Sequence, residues 1–356
     1  MNDISITEVA AKSAAGATWP ELGKEYGCNG EMLRGRWRRW RKRDPDAWLN
    51  VKKGNPPAKP IIQGLFPDDD LIDPDALWQL AIKQQRRMEE RARLRLDQSV
   101  TIKDDLPFGV AFFSDLHMGN PSTDYHQARE DATVVGETDG LYGSFHGDGI
   151  DSWIIGRLQA NQRNQIVGYE GEKQLFFNWL DLIGPENLLW FIPGNHDLWG
   201  HKEAGIDIFR ERLRGTKVLY GRHEVFLTVK QGGASWKILA RHKWRGSSVF
   251  NDTHGIEVSW ERRGLDFDIG IGGHTHRATL CREFIRQGKK RLAILTGTYK
   301  VDGDYGRELG YAEPSGLGCG AVIFFPNGDM HWCRTLQEAA TFLGYLRRPV
   351  PCDSAA

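Results

Sequence analysis

The sequence is poor in cysteine, in net charge and in long apolar runs, and each shortage excludes a class of protein. Its five cysteines among 356 residues are scattered, without the paired spacing of a disulfide framework or a zinc ribbon. The formal net charge is +0, so attraction to nucleic acid must come from a local patch. No apolar run is long enough to span a bilayer, and the chain does not open like an export signal. We therefore expect a cytoplasmic protein with no membrane partner.

The length allows one large domain and a smaller appendage. Hydrophobic residues make up 40% of the chain, which is enough for a sizeable core. From about Leu106 onward, apolar runs typical of buried strands alternate with helical stretches, one of them from about Ser152 to Leu182. This alternation predicts an α/β fold for the larger part of the chain.

The N-terminal 53 residues predict a small all-α domain with one basic helix. Thr18 and Glu21 have the spacing of a capping box, Gly27 marks the end of that helix, and Asn29 can cap the next one. The order helix, turn and basic helix is similar to helix-turn-helix segments of DNA-binding proteins. Phosphate contacts are predicted for the basic side chains of the last helix, which are Arg34, Arg36, Arg38, Arg39, Arg41, Lys42 and Arg43.

A basic helix of this kind has a second interpretation. It can dock on another protein, or pack only within its own domain, with its charges in solvent. Helix-turn-helix domains often work as dimers on paired half-sites, so a homodimer is also an expectation.

The remaining boundaries follow from changes in composition. We predict a basic helical domain at 1–53, a Pro- and Asp-rich linker at 54–72, a connector helix at 73–100, the large α/β domain at 101–346 and a loose tail at 347–356.

Groups of polar side chains follow five predicted strands of the large domain. In sheets covered by helices, sites form beyond the carboxyl ends of the strands, so these groups are expected to converge. Gly194 precedes one group and would let the chain turn sharply there. The groups are Asp115 with His117, Asp148 with Asp151, Asn195 with His196 and Asp197, the single His242, and His274 with His276.

The chemistry of these side chains points to metal ions. Oxygen and imidazole donors without thiolate suit Mn²⁺, Fe or Zn²⁺. One carboxylate able to bridge would hold two ions about 3.5–4 Å apart, an arrangement suited to displacement at phosphorus. The sequence therefore predicts two divalent transition metal ions, with Mn²⁺ expected first, and hydrolysis of a phosphate ester.

The ordered motifs resemble those of the calcineurin-like metallophosphoesterases. They are Asp115-Leu116-His117, Gly147-Asp148 followed by Asp151, Gly194-Asn195-His196-Asp197, His242, and Gly273-His274-Thr275-His276, and the likeness runs over about residues 108 to 335. The resemblance implies a β-sandwich flanked by helices with the metal site at the edge of the sheets. The combination with a helix-turn-helix-like arm is also similar to proteins carried by phages and prophages.

The resemblance further implies a role for each motif residue. One metal would be held by Asp115, His117, Asp148 and His276, and the other by Asp148, Asn195, His242 and His274. His196 would donate a proton to the leaving oxygen, oriented by Asp197, and a hydroxide bridging the metals would be the nucleophile. Asp151 would contact the metal ligands without binding a metal itself. His223 and His254 compete with His242 for its role, since Lys243 replaces the glycine that often follows this histidine in the family.

Three functions remain open. The helix-turn-helix-like segment with its basic helix, which we call the basic arm (residues 1–53), favours a phosphodiesterase or nuclease acting on nucleic acid. A phosphomonoesterase or Ser/Thr protein phosphatase needs arginines that clamp a phosphate, and Arg241 and Arg245 flank His242. A DNA-binding regulator with an idle phosphoesterase domain is the third, although no ligand position is lost.

Overall fold

The computed structural model describes residues 4–54, 73–96, 98–154, 156–246, 248, 250–262, 266–301 and 318–348. The chain divides into two compact units, Met1–Ala81 and Ile82–Ala356. The predicted linker, apart from residue 54, and the predicted tail beyond residue 348 lie outside the described residues.

Residues 4–54 of the N-terminal unit form four helices with capped starts. The Glu21 carboxylate accepts the Thr18 backbone N–H at 2.9 Å, and Asn29 Oδ1 accepts the Glu31 N–H at 2.8 Å, both at predicted helix starts. The helices are α1 Ile6–Ala14, α2 Trp19–Glu25, α3 Gly30–Arg43 and α4 Pro45–Gly54.

Helix α4 was not predicted from the sequence. Asp44 caps it by accepting the Ala47 N–H at 3.0 Å, and Pro45 occupies its first position. The same Asp-Pro signal predicts helix α5, Pro74–Leu96, where Asp73 accepts the Asp75 N–H at 3.2 Å. This signal was therefore sufficient to find α4 as well.

A small core joins the N-terminal helices. Val9, Leu22 and Leu33 are fully buried and meet at its centre. The ring of Trp37, on α3, lies 5.4 Å from both Trp19 and Trp48. The apolar side of α3 is thus occupied by its neighbours, and most of its cations are left on the outside.

The larger unit is built on two six-stranded mixed sheets. Their strand orders are β1-β6-β7-β8-β10-β9 and β12-β11-β2-β3-β4-β5. The strands are β1 Gln98–Ile102, β2 Phe108–Phe113, β3 Leu141–Phe145, β4 Leu188–Phe191, β5 Leu219–Tyr220, β6 Glu224–Gln231, β7 Ala234–Arg241, β8 Ile269–Gly272, β9 Leu280–Arg286, β10 Lys289–Leu295, β11 Ala321–Phe324 and β12 Met330–Cys333.

Helices cover the outer faces of both sheets. One core lies between the sheets and draws buried residues from both, such as Val110, Trp190 and Ile238. Other clusters pack helices on the outside, such as Trp179 and Leu343 on one sheet and Trp260 on the other. The helices are α6 Tyr125–Glu137, α7 Tyr169–Ile183, α8 Trp199–Ala204, α9 Ile208–Arg212, α10 His254–Arg262 and α11 Leu336–Leu346. The predicted fold class, an α/β sandwich flanked by helices with a small all-α N-terminal part, is confirmed.

The strand register brings the predicted motifs to one edge. β2, β3 and β4 are parallel, with Phe113 beside Phe145 and Phe145 beside Phe191, so the loops after them emerge together. In the other sheet β7 and β8 are parallel, with Arg241 beside Gly272. The five polar groups therefore leave two sheets at the same end of the sandwich.

The predicted long helix from Ser152 to Leu182 is wrong. A 3₁₀ helix occupies Gly156–Asn164, and only Tyr169–Ile183 forms an α-helix. The side chains of Trp153 and Gln165 instead bond to the Asp151 carboxylate, at 2.7 and 3.0 Å, and hold this segment against the site. No helix within the described ranges is long and apolar enough to cross a membrane.

Candidate metal centre

The structure brings the seven predicted ligands into two groups that share Asp148. In each group of Asp and His ligands the donor atoms lie within 4.8 Å of one another. Asn195 joins the second group, because its Oδ1 is 3.2 Å from His242 Nε2. The first group is Asp115, His117, Asp148 and His276, and the second is Asp148, His242 and His274.

The donor atoms of each group point at one another. In the first, His276 Nε2 lies 2.9 Å from His117 Nε2 and 3.2 Å from Asp115 Oδ1. In the second, His242 Nε2 lies 3.2 Å from Asp148 Oδ2 and 3.2 Å from His274 Nδ1. Imidazole nitrogens that converge on one another and on carboxylate oxygens form the pattern of a cation site.

Two further observations fit divalent ions. Asp115 Oδ1 is buried and has no hydrogen-bond partner among the described residues, whereas Asp115 Oδ2 accepts the His274 backbone N–H at 2.9 Å. The other nitrogens of two ligands are already engaged, since His117 Nδ1 is 2.7 Å from Asp151 Oδ1 and His242 Nδ1 is 2.7 Å from the His146 carbonyl. Both Nε2 atoms are thereby turned inward, toward the other donor atoms of their groups.

The charges of the group also favour cations. Burial alone would raise the pKa of the Asp115 carboxyl, but the His276 imidazole outweighs it and lowers that pKa to about 2. Against the same effect of burial, His242 holds the pKa of Asp148 well below its usual range. Burial would lower the pKa of His242, yet Asp148 raises it to about 10. A divalent ion that binds here would displace that proton.

Backbone strain is concentrated at the ligands. Seven non-glycine residues in the described ranges have positive φ, and five of them belong to the two groups. Such conformations cost roughly 1–3 kcal/mol each and persist where the surroundings enforce them, commonly at functional sites. The five are Asp115 at 52°, His117 at 49°, Asp148 at 56°, His274 at 72° and His276 at 49°.

Gly194 is needed for space and not for a turn. A Cβ atom on this residue would lie 2.1 Å from Asp148 Oδ1 and 2.3 Å from the Asp148 backbone nitrogen. Its φ is not among the positive values, so the sharp turn predicted from the sequence is not the reason for the glycine. The missing side chain lets the loop after β4 approach the shared carboxylate.

Asp197 does not orient His196, and this part of the prediction is wrong. The His196 Nδ1 lies 2.6 Å from the backbone carbonyl of Asp151. The Asp197 carboxylate instead accepts the N–H groups of Gly149 and Gly194, at 2.9 and 2.8 Å. A carboxylate that satisfies backbone donors from two loops holds those loops together, so the residue that positions His196 is Asp151.

Comparisons with known proteins give weak likenesses. Vps29 of Chaetomium thermophilum has a TM-score of 0.34 and 12% identity, over 63% of this chain and 95% of that one. The sulfate thiohydrolase SoxB of Thermus thermophilus, solved with glycerol, has a TM-score of 0.34 and 11% identity. The match covers 69% of this chain and 60% of SoxB. GAP50 of Plasmodium has a TM-score of 0.35 and 11% identity, and the match covers 70% of this chain and 99% of GAP50. No protein-family model matches the chain, and no curated protein matches it in sequence.

Several supporting residues were missed from the sequence. The Ser114 hydroxyl donates to Asp115 Oδ2 at 2.5 Å, and the Asn120 amide donates to Asp151 Oδ2 at 2.6 Å. Lys300 Nζ lies 3.7 Å from Asp151 Oδ1. Ser114 directly precedes Asp115 and Asn120 follows His117 by three positions, which is a usable signal. His146 acts through its main-chain carbonyl, and its residue type gives no signal for that.

His223 and His254, the two competitors of His242, lie in none of the groups found among the described residues. Another group, His331, Cys333 and Glu338, lies at β12 and the start of α11. Burial raises the pKa of the Cys333 thiol to about 12, which disfavours the thiolate that a metal needs.

Of the two arginines that could clamp a phosphate, Arg241 is engaged elsewhere. Arg241 is the last residue of β7 and lies opposite Glu224 of β6. Its guanidinium pairs with Glu224, through Nε at 2.9 Å, and lies over the Trp244 ring at 4.9 Å. The predicted clamp role of Arg241 is therefore wrong, whereas Arg245 is exposed.

The predicted nucleic-acid contacts lie on α3, and most of their side chains are exposed. Arg34 pairs with Glu31 at 3.3 Å, and Arg41 lies over the rings of Trp37 and Trp48, at 5.5 and 5.6 Å. The others have no acidic partner within the described part of the chain. These are Arg36, Arg38, Arg39, Lys42 and Arg43, of which only Arg36 is half-buried.

Proposed function

We propose that the chain is a two-metal phosphoesterase that hydrolyses phosphodiester bonds of nucleic acid. The observation that carries the proposal is Asp148, a carboxylate shared by two groups of donors that are otherwise separate. Two bound divalent ions, with Mn²⁺ proposed first, would supply the positive charge that stabilises the attacking and leaving oxygens at phosphorus.

The residues around this centre have distinct tasks. His117 and His242 keep their Nε2 atoms inward because Asp151 and the His146 carbonyl hold their Nδ1 atoms, each at 2.7 Å. His196 donates its Nδ1 proton to the Asp151 carbonyl at 2.6 Å, and its Nε2 has no partner among the described residues. That nitrogen is free to hold a proton for the leaving oxygen.

The basic helix α3 supports nucleic acid as the substrate class. The exposed cations Arg38, Arg39, Lys42 and Arg43 lie within two turns and lack acidic partners in the described ranges. A cluster of this kind attracts a phosphate backbone without regard to sequence. Tethering it to a phosphodiesterase raises the local concentration of substrate.

Cleavage of end-labelled single- and double-stranded DNA, and of RNA, by the Mn²⁺-loaded protein tests the proposal. We expect products from the wild-type protein and none from His196→Ala or Asp148→Asn. His126→Ala is the matched control, since this histidine is exposed and its imidazole lies beside Glu130 of the same helix.

Intact nucleic acid under these conditions contradicts the proposal. If a generic aryl phosphate were then hydrolysed in a His196-dependent way, the phosphomonoesterase alternative would replace it. If no ester were hydrolysed and no metal bound, the chain would act as a DNA-binding regulator.

A further inference from the structure

The rings of two tryptophans and a histidine pack against one another beside the candidate metal centre, in tilted and edge-on pairs. The Trp199 ring lies on the His196 ring, with centroids 4.0 Å apart and planes inclined by 34°. The Trp153 ring is 5.1 Å from His196 and 5.4 Å from Trp199. We call these three side chains the aromatic stack.

The aromatic stack is anchored to the same residue as the first metal group. Trp153 Nε1 donates to Asp151 Oδ2 at 2.7 Å, and His196 Nδ1 donates to the Asp151 carbonyl at 2.6 Å. The remaining carboxylate oxygen of Asp151 lies 2.7 Å from His117 Nδ1. The rings of Trp153 and His196 are therefore fixed relative to the predicted ligand His117.

Neither tryptophan serves the hydrophobic core. Trp179 and Trp190, from the same unit, are 2% and 0% exposed and belong to the two large core clusters. Trp153 and Trp199 are only half-buried, and they are in none of the hydrophobic clusters formed by the described residues. Aromatic surface left in water beside a constellation of polar groups is typical of a ligand site.

The position of the aromatic stack indicates which part of the substrate it would contact. His196 is the proposed proton donor to the leaving oxygen, so the group that departs on this oxygen lies next to the rings. A large flat group there would cover the indole surface that the protein leaves half-exposed.

We propose that the aromatic stack binds the nucleobase of the leaving nucleoside. This inference rests on the proposed phosphodiesterase function and narrows its substrate class to diesters whose leaving group carries a base. Every base offers a π face, so stacking adds affinity without sequence preference. A site of this kind favours a polynucleotide over a phosphoprotein or an aliphatic phosphodiester.

The kinetic test compares thymidylyl-thymidine with two analogues, each of which has hydrogen in place of one base. For the wild-type enzyme, kcat/KM should fall at least about fivefold when the base of the leaving nucleoside is missing. Trp199→Leu should bring this ratio close to one, and Trp199→Phe, which keeps a ring, should preserve most of it. Trp332→Leu removes another half-buried tryptophan, on β12, and should leave the ratio unchanged.

If the stack only positions His196, Trp199→Leu would slow all three substrates by the same factor and leave the ratio unchanged, which overturns the inference. A wild-type ratio near one also overturns it, while cleavage of the dinucleotide keeps the phosphodiesterase proposal intact.

A binding measurement decides the inference even without turnover. Thymidine 3′- and 5′-phosphates and deoxyribose phosphate are titrated into Mn²⁺-loaded protein by calorimetry. One thymidine phosphate should bind at least about fivefold more tightly than deoxyribose phosphate to the wild-type protein, and this preference should be lost in Trp199→Leu. Equal binding of all three would overturn the inference, whatever the protein hydrolyses.

Discussion

His117 Nδ1 lies 2.7 Å from Asp151 Oδ1, and both side chains are fully buried. Asp151 also accepts hydrogen bonds from Trp153, Asn120 and Gln165 on its other carboxylate oxygen. One residue thus fixes a predicted metal ligand, an indole and the segment that follows it. A carboxylate behind a ligating histidine makes the imidazole a better donor and fixes its tautomer.

Asp151→Asn should therefore weaken Mn²⁺ binding by about 10- to 100-fold, because the amide cannot support the imidazole as a carboxylate does. Competition with a fluorescent chelator measures this affinity. Asp105→Asn, at an exposed position, is the control and should bind like the wild-type protein. Unchanged affinity in Asp151→Asn would show that the contact does not serve metal binding.

Gly194→Ala tests the close approach of two loops. The added Cβ would lie 2.1 Å from Asp148 Oδ1, so the shared carboxylate or the loop after β4 must move. We expect loss of most Mn²⁺ binding and of hydrolysis, with destabilisation of about 1–3 kcal/mol in chemical unfolding. Gly344→Ala, in α11, meets nothing within 4 Å and should keep both properties. Full metal binding in Gly194→Ala would contradict this role of Gly194.

Glu172 makes the stability of the larger unit depend on pH. Its side chain is 0% exposed and accepts the Ser152 N–H at 2.8 Å, and burial raises its pKa to about 7. The folded-state pKa exceeds the ordinary value of 4.5, so this group's contribution to stability is fully present below about pH 4.5 and is lost as the pH rises through 7.

Glu172→Gln removes that titration. The unfolding free energy of the variant minus that of the wild-type protein should rise by on the order of 1–3 kcal/mol as the pH increases from 5 to 8. Urea unfolding at several pH values measures the difference. Glu170→Gln, an exposed neighbour on α7, should show no such trend. A difference independent of pH would mean that the burial of Glu172 does not shift its titration.

The basic arm should control the salt dependence of DNA binding. Replacing Arg38, Arg39 and Lys42 by alanine should weaken binding to all duplex sequences alike. It should also make the slope of log K against log salt shallower by up to about 3. Fluorescence anisotropy at several salt concentrations measures both effects.

A triple alanine variant of Lys83, Arg86 and Arg87, exposed on α5, is the matched control for charge and should bind DNA like the wild-type protein. If the α3 variant keeps its affinity and slope, the helix docks on protein or serves only its own domain.

The convergence of the motif side chains could be predicted because each motif follows a strand that the local sequence indicates. Phe108–Phe113 is fully buried along its length, and the motif Asp115 to His117 comes directly after it. The strands β1 and β5 gave no comparable signal. β1 alternates in exposure, and β5 has only two residues, so their membership of a sheet depends on pairing with distant neighbours.

The hydrogen bonds that position the predicted ligands could not be predicted in the same way. The His146 carbonyl reaches His242 across 96 positions of sequence, and Asp151 reaches His117 across 34. The first pair exists only once the two sheets have been stacked, and the second needs the neighbouring strands β2 and β3 to be paired in register. The family resemblance implied Asp197 as the partner of His196, whereas the structure places this carboxylate on backbone N–H groups.

The number of Mn²⁺ ions bound per chain, measured by equilibrium dialysis and elemental analysis, tests the central claim most directly. The shared position of Asp148 predicts two ions in the wild-type protein and in the control His126→Ala. It predicts one ion in His276→Ala and in His274→Ala, and weakening of both ions in Asp148→Asn. A wild-type protein that binds fewer than two ions, or an Asp148→Asn variant that binds both as tightly as the wild-type protein, would contradict a two-metal centre built on Asp148.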